Sequence, residues 1–125
     1  MTVYLVENSP LIVKRLGELL SALPGVEVVG HAPGAKQAIE EILRLRPQVA
    51  LLDIELDQGT GFDVLLALAK NSMEIDVYML TNHDSLALRD LAAKLGAKGY
   101  YDKTRDLQAL RDLLAKRAAG TSSES

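Results

Sequence analysis

Along the chain, short apolar runs alternate with longer stretches whose apolar positions recur every three or four residues. The clearest run is Val49-Ala50-Leu51-Leu52-Asp53, which has strand length, no polar alternation, and an acid at its end. A run without a polar face predicts a strand covered on both sides, as in the middle of a parallel sheet. Comparable runs at residues 3–6, 26–30, 75–80 and 98–101 predict four further strands.

Helical periods fill the intervals. Ser9 suits an N-cap and Pro10 the first helical position, and Ile12, Leu16, Leu19, Leu20 and Leu23 follow at helical spacing until Pro24 and Gly25 end the helix. Ala35, Ala38, Ile39, Ile42 and Leu43 mark a second helix, closed before Pro47. Phe62, Leu65, Leu66 and Ala69 give a third with a weak start. Leu88, Leu91, Ala92 and Leu95 give a fourth stopped by Gly96, and Leu107, Leu110, Leu113 and Leu114 the last. Five strands alternating with five helices predict an α/β fold, a doubly wound five-stranded parallel sheet in the flavodoxin-like order 2-1-3-4-5 with helices on both faces. The domain is expected over residues 1–118, followed by a flexible polar tail over 119–125.

Composition narrows the function classes. A chain of 125 residues, 48% hydrophobic, fits one ordinary core. Without cysteine there is no disulfide, thiol nucleophile or cysteine-based zinc site. A net charge of -3 and only five aromatic residues argue against direct nucleic-acid binding. Met1 leads into Thr2-Val3-Tyr4-Leu5-Val6 with neither a basic start nor a long apolar run. No signal peptide or membrane span is therefore expected, and the cytoplasm is the expected compartment.

Candidate chemistry gathers at strand ends. Open parallel sheets bind ligands at the carboxyl edge, and in the order 2-1-3-4-5 the topological switch falls between strands one and three, placing Glu7 beside Asp53. Glu7 and Asn8, Asp53, Thr81 and Lys103 all follow strand runs. A carboxylate near a second acid and a lysine can hold a divalent cation through oxygen, and magnesium suits a site with one or two carboxylates. Asp53 could then attack a phosphoryl group, with the Thr81 hydroxyl and Lys103 ammonium contacting its oxygens. His83 is near enough to Thr81 in sequence to line such a pocket. Other patterns fail: Gly59-Thr60-Gly61 lacks the third glycine of a dinucleotide loop, and Asp53, Glu55 and Asp57 lack the glycine and the final acid of a calcium loop.

Over residues 3–116 these motifs resemble a response-regulator receiver domain, the CheY-like phosphoacceptor of two-component systems. The resemblance lies in Tyr4-Leu5-Val6-Glu7-Asn8-Ser9-Pro10, Leu51-Leu52-Asp53-Ile54-Glu55-Leu56 with Gly61, Met79-Leu80-Thr81, and Gly96-Ala97-Lys98-Gly99-Tyr100-Tyr101-Asp102-Lys103. Pro24-Gly25-Val26-Glu27-Val28-Val29-Gly30 is similar to receivers of the NarL/FixJ type, which precede a helix-turn-helix DNA-binding domain; no such domain is expected here.

The resemblance implies that Asp53 accepts phosphate from the phosphohistidine of a sensor histidine kinase or phosphotransfer protein. It assigns Thr81 as the hydroxyl that moves toward the phosphate, Lys103 as its ion-pair partner, and Tyr100 as the aromatic that turns inward. It implies magnesium held by Glu7, Asn8, Asp53 and the main-chain carbonyl of Glu55. Output would pass to a downstream protein target or an effector domain, with at most self-phosphorylation and self-dephosphorylation as enzymatic activity. Paired charges at Lys98, Arg105, Asp106, Arg111 and Asp112 are compatible with a homodimer. The chain departs from the pattern at Asn8, where a second metal-binding acid is usual, and at Asp57 and Thr104, where proline is common. Asn8 leaves a pseudo-receiver, a binding module working without phosphorylation, as the alternative. A phosphatase of the haloacid-dehalogenase type fits poorly, because its motif follows the first strand and it needs a cap or longer core.

Overall fold

The computed structural model describes residues 1–82 and 85–120. Strands β1 (Thr2–Val6), β2 (Glu27–Ala32), β3 (Val49–Asp53), β4 (Asp76–Thr81) and β5 (Gly99–Asp102) alternate with helices α1 (Pro10–Ser21), α2 (Ala35–Leu45), α3 (Gly61–Lys70), α4 (Leu86–Lys94) and α5 (Leu107–Gly120). All pairings are parallel, in the order β2-β1-β3-β4-β5, as the alternation of runs predicts.

The central strand explains the layers. Val49 and Leu51 face a core completed by Leu16 and Leu20 of α1 and Leu110 and Leu114 of α5. Ala50 and Leu52 face the opposite core with Ile42, Leu65, Leu68 and Ala92 from α2, α3 and α4. Every residue of β3 is buried, so its lack of a polar face follows from cover on both sides. On β1 the Tyr4 ring occupies space that a side chain on β2 would fill: a Cβ on Gly30 would lie 2.9 Å from that ring. The Tyr4 hydroxyl donates to Glu41 Oε1 of α2 at 2.5 Å, which satisfies a polar atom carried into the core.

Element ends differ from the sequence expectation by one or two residues, because pairing rather than side-chain type sets them. Strand β2 runs on to Ala32, which pairs with Val6, and β4 runs on to Thr81, which pairs with Asp102. Helix α3 has a firmer start than expected. Thr60 and Asp63 form a reciprocal capping box, each side chain accepting from the other's backbone N–H. Helix α2 has no side-chain cap from Gly34; Gln58 in the β3–α3 loop serves instead, its carbonyl accepting from Ala35 N–H at 2.8 Å and its Oε1 from Lys36 N–H at 2.9 Å. Helix α5 extends through Gly120, two residues into the expected tail, since Ala118 and Ala119 are good helix formers. His83 and residues 121–125 lie outside the described residues. Among the described residues no helix is long and apolar enough to cross a membrane.

Candidate functional site

At the carboxyl edge of the sheet, backbone bonds extend past the strand ends and fix the residues that follow. Glu7 N–H donates to the Ala32 carbonyl at 3.0 Å, Ile54 N–H to Leu80 at 3.2 Å, and Lys103 N–H to Thr81 at 2.8 Å. Glu7, Asp53, Thr81 and Lys103 are thereby held side by side, each at most 5% exposed. Lys103 Nζ lies 2.8 Å from Asp53 Oδ2 and 2.6 Å from Glu7 Oε1. One buried ammonium thus serves two buried carboxylates, a geometry that offsets their desolvation only while all three are present. Glu7 Oε2 accepts from Ser9 N–H at 2.9 Å, and Asp53 Oδ1 from Glu55 N–H at 3.3 Å. Glu7 Oε1 has the Lys103 ammonium 2.6 Å away, an ion pair short enough to satisfy that buried oxygen.

Burial and charge compete over the protonation states. Burial pushes the Asp53 carboxyl up to about 6, the nearby Glu7 adds to the rise, and Lys103 and the Glu55 N–H pull against it. Burial pulls Lys103 down, but its bonds to Asp53 and Glu7 and their charges outweigh that and hold it above the usual lysine range. At neutral pH an ionised Asp53 therefore faces a firmly protonated Lys103.

The β5–α5 loop that carries Lys103 is itself pinned. Asp102 Oδ1 accepts from Thr104 N–H at 2.8 Å, Thr104 Oγ1 at 2.6 Å and Arg105 N–H at 3.0 Å, while Asp106 Oδ2 accepts from Asp102 N–H at 2.9 Å. The Thr104 bonds, with that of Arg105, hold the Asp102 carboxyl down to about 2. The β3–α3 loop is fixed by close packing. Gly61 N–H donates to the Ile54 carbonyl at 3.0 Å, and a Cβ on Gly61 would come within 2.3 Å of the Asp53 carbonyl oxygen. Only glycine allows that approach.

Above these residues opens a cavity of about 250 Å³ whose lining includes Asn8, Arg15, Asp53, Glu55, Thr81 and Lys103. Asn8 and Glu55 are exposed at its mouth. Glu7 does not line this cavity and opens instead toward a neighbouring hollow with Asn8, Lys14 and His31. Among the described residues no three acids or histidines converge as a metal site, and Asn8 puts a neutral amide where the resemblance expects an acid. The donors present still suit magnesium, which keeps several waters and asks for few carboxylates. They are the Asp53 carboxylate and the oxygens of Asn8 and Glu55 on the same cavity; Glu7, which the resemblance places among the ligands, is instead engaged by Lys103 and does not line it.

Tyr100 lies apart from this cavity. Its ring is buried against the α4 side of the sheet, with the Arg89 guanidinium 4.7 Å from its centroid and Arg89 Nη1 donating to its carbonyl at 3.3 Å. The charges considered for a homodimer are engaged within the chain. Lys98 faces Asp76 at 4.0 Å, Arg105 faces Asp102 at 3.7 Å, and Arg111 faces Asp112 at 3.1 Å.

Sequence reasoning did not find Arg15, Arg89 or the structural role of Gln58. Arg15 was detectable in principle: Ser9, the N-cap of α1, and Ile12 and Arg15 within it follow at intervals of three, and all three line the cavity.

A parallel α/β domain with an acid–lysine pocket at the carboxyl edge of its sheet is the class that fold and site define. The chain belongs to the response regulator receiver domain family, whose pattern matches residues 3–115. It is 31% identical to the nitrate/nitrite response regulator protein NarL of Escherichia coli over 95% of this chain and 55% of that protein. It is 30% identical to the uncharacterized transcriptional regulatory protein YvfU of Bacillus subtilis over 94% of this chain and 58% of that protein. The chain thus spans little more than half the length of these curated relatives. Among solved structures, the signal receiver domain of a NarL response regulator from Mycobacterium tuberculosis superposes with a TM-score of 0.86 at 28% identity, covering 95% of this chain and 96% of that one.

Proposed function

We propose that the chain is a phosphorylation switch: Asp53 accepts a phosphoryl group from a histidine kinase or phosphotransfer protein, and the change is read by a protein partner or effector domain. The observation that carries this reading is Lys103 bridging Asp53 and Glu7 beside Thr81 at the floor of an open cavity. In the transfer, an Asp53 carboxylate oxygen bonds to phosphorus as the bond from phosphorus to the donor imidazole breaks, and the imidazole leaves with the electron pair. Asp53 must be ionised to attack, and with its carboxyl pushed up to about 6 the ionised form dominates at neutral pH. Lys103 begins paired with the attacking carboxylate and stays protonated, so its ammonium is in place to bind phosphoryl oxygens. Asp53, Asn8 and the Glu55 carbonyl would hold magnesium, which when bound supplies charge neutralisation for the phosphoryl oxygens.

The reading is one stoichiometric event rather than turnover. Thr81 would then bond the phosphoryl group, and one new charge-assisted hydrogen bond, about 1.5–3 kcal/mol, shifts a two-state equilibrium roughly 10- to 150-fold. Tyr100 is the proposed reporter of that shift, with its stacking on Arg89 expected to change. The proposed compartment is the cytoplasm. Incubation with magnesium and a small acyl phosphate tests the reading: intact mass is expected to rise by one phosphoryl group, and Asp53→Asn to abolish the rise. No adduct at saturating donor would leave a binding module without phosphate chemistry.

A further inference from the structure

The phosphoacceptor cavity carries a cation that the reading above does not use. Arg15 projects from α1 onto the lining shared by Asp53, Thr81 and Lys103, and it is exposed, so its guanidinium is hydrated and charged. Among the described residues Arg15 forms no ion pair. Lys103, by contrast, is already held between Asp53 and Glu7. An incoming phosphoryl dianion therefore meets two carboxylates, Asp53 and the rim Glu55, with Lys103 shared between Asp53 and Glu7 and Arg15 uncommitted. The neutral Asn8 removes a further negative charge from the same lining.

We propose that Arg15 is a phosphoryl-binding residue of this pocket, engaging the donor's oxygens at the cavity mouth and supplying part of the positive charge that Asn8 leaves less able to recruit as metal. The proposal rests on Asp53 being the phosphoacceptor. A guanidinium suits the role because its planar fork pairs with two phosphoryl oxygens at once, without the octahedral shell a divalent cation requires. With acetyl phosphate as donor, an Asp53 oxygen bonds to phosphorus and the bond from phosphorus to the acetate oxygen breaks. Acetate leaves with the electron pair, and no proton is needed. Arg15 remains a cation throughout.

The electrostatic consequence has two opposite signs. The same positive charge that attracts a phosphoryl dianion repels magnesium from the neighbouring oxygens. Arg15→Gln, an exposed substitution, is expected to raise the half-saturating acetyl phosphate concentration about three- to tenfold with little change in the saturating rate, followed by intact mass. Calorimetric titration of the same variant with magnesium alone is expected to show binding tightened by about two- to fivefold. Arg15→Lys should restore most of both values. A variant whose donor dependence and magnesium affinity are both unchanged, or both weakened, would overturn the proposal. If the wild-type chain takes up no phosphoryl group, the phosphoacceptor reading itself fails; if it does and Arg15→Gln behaves identically, only the role of Arg15 falls.

Discussion

The Lys103 ammonium lies 2.8 Å from Oδ2 of Asp53, and the Lys103 backbone N–H is bonded to the carbonyl of Thr81 at the same distance. One residue is thus tied by its side chain to the end of β3 and by its main chain to the end of β4. Any group that displaces the ammonium from Asp53 acts on a position already locked to Thr81, so the ends of β3 and β4 share Lys103 as a common partner.

Removing that ammonium is expected to be costly. Lys103→Met would leave Glu7 and Asp53 buried without their cation, and breaking a buried ion pair from one side costs about 3–5 kcal/mol. Urea unfolding monitored by circular dichroism should show a loss of that order. A loss under about 1 kcal/mol would mean that water already reaches the trio.

The raised Asp53 titration has a definite sign. From 3.8 to about 6 the folded chain holds a proton on Asp53 that the unfolded chain has released. Stability therefore falls as pH rises through that window and levels off above it. Asp53→Asn should lose this slope. In the intact chain, the rate of phosphoryl uptake without added metal should fall as pH drops below about 6. A rate that stays flat from pH 7 to pH 5 would contradict the shift.

Gly61 is expected to tolerate no side chain. Its Cβ would meet the Asp53 carbonyl, a backbone atom that cannot swing away. Gly61→Ala should destabilise the domain by about 1–3 kcal/mol, the scale of overpacking in a tight site, and should also slow phosphoryl uptake by moving the acceptor. Thermal unfolding together with the uptake rate checks both effects.

The loop after β3 should report on helix α2. Gln58→Ala removes the side-chain acceptor that Lys36 N–H uses and keeps the carbonyl that Ala35 N–H uses. A loss of about 0.5–2 kcal/mol is expected, the range for a helix N-cap, with faster amide exchange at Lys36. Unchanged exchange there would show that water serves the helix end equally well.

Much of this architecture was legible because burial on both faces writes itself as unbroken apolar runs, and a known sheet edge then collects whatever side chains follow them. Asp53, Thr81 and Lys103 were placed at that edge this way, and they line one cavity there. Glu7 shares Lys103 with Asp53, yet it lines a neighbouring hollow rather than the cavity, and no spacing rule encodes that difference. The firm start of α3 was encoded as Thr60 and Asp63 three residues apart, a pattern easily passed over when the hydrophobic period is faint. Gln58 capping a distant helix, and the Asp102 bonds that pin Lys103, depend on loops meeting in space. Residue type alone does not carry that information.

The most direct measurement locates the modification itself. The protein is incubated with magnesium and acetyl phosphate, any acyl phosphate is reduced with borohydride, and the peptides are mapped by mass spectrometry. Homoserine at position 53, absent from Asp53→Asn and from protein given no donor, is the expected result. Reduction at another acid, or an unmodified Asp53 in a chain saturated with donor, would contradict the assignment of Asp53 as the phosphoryl acceptor.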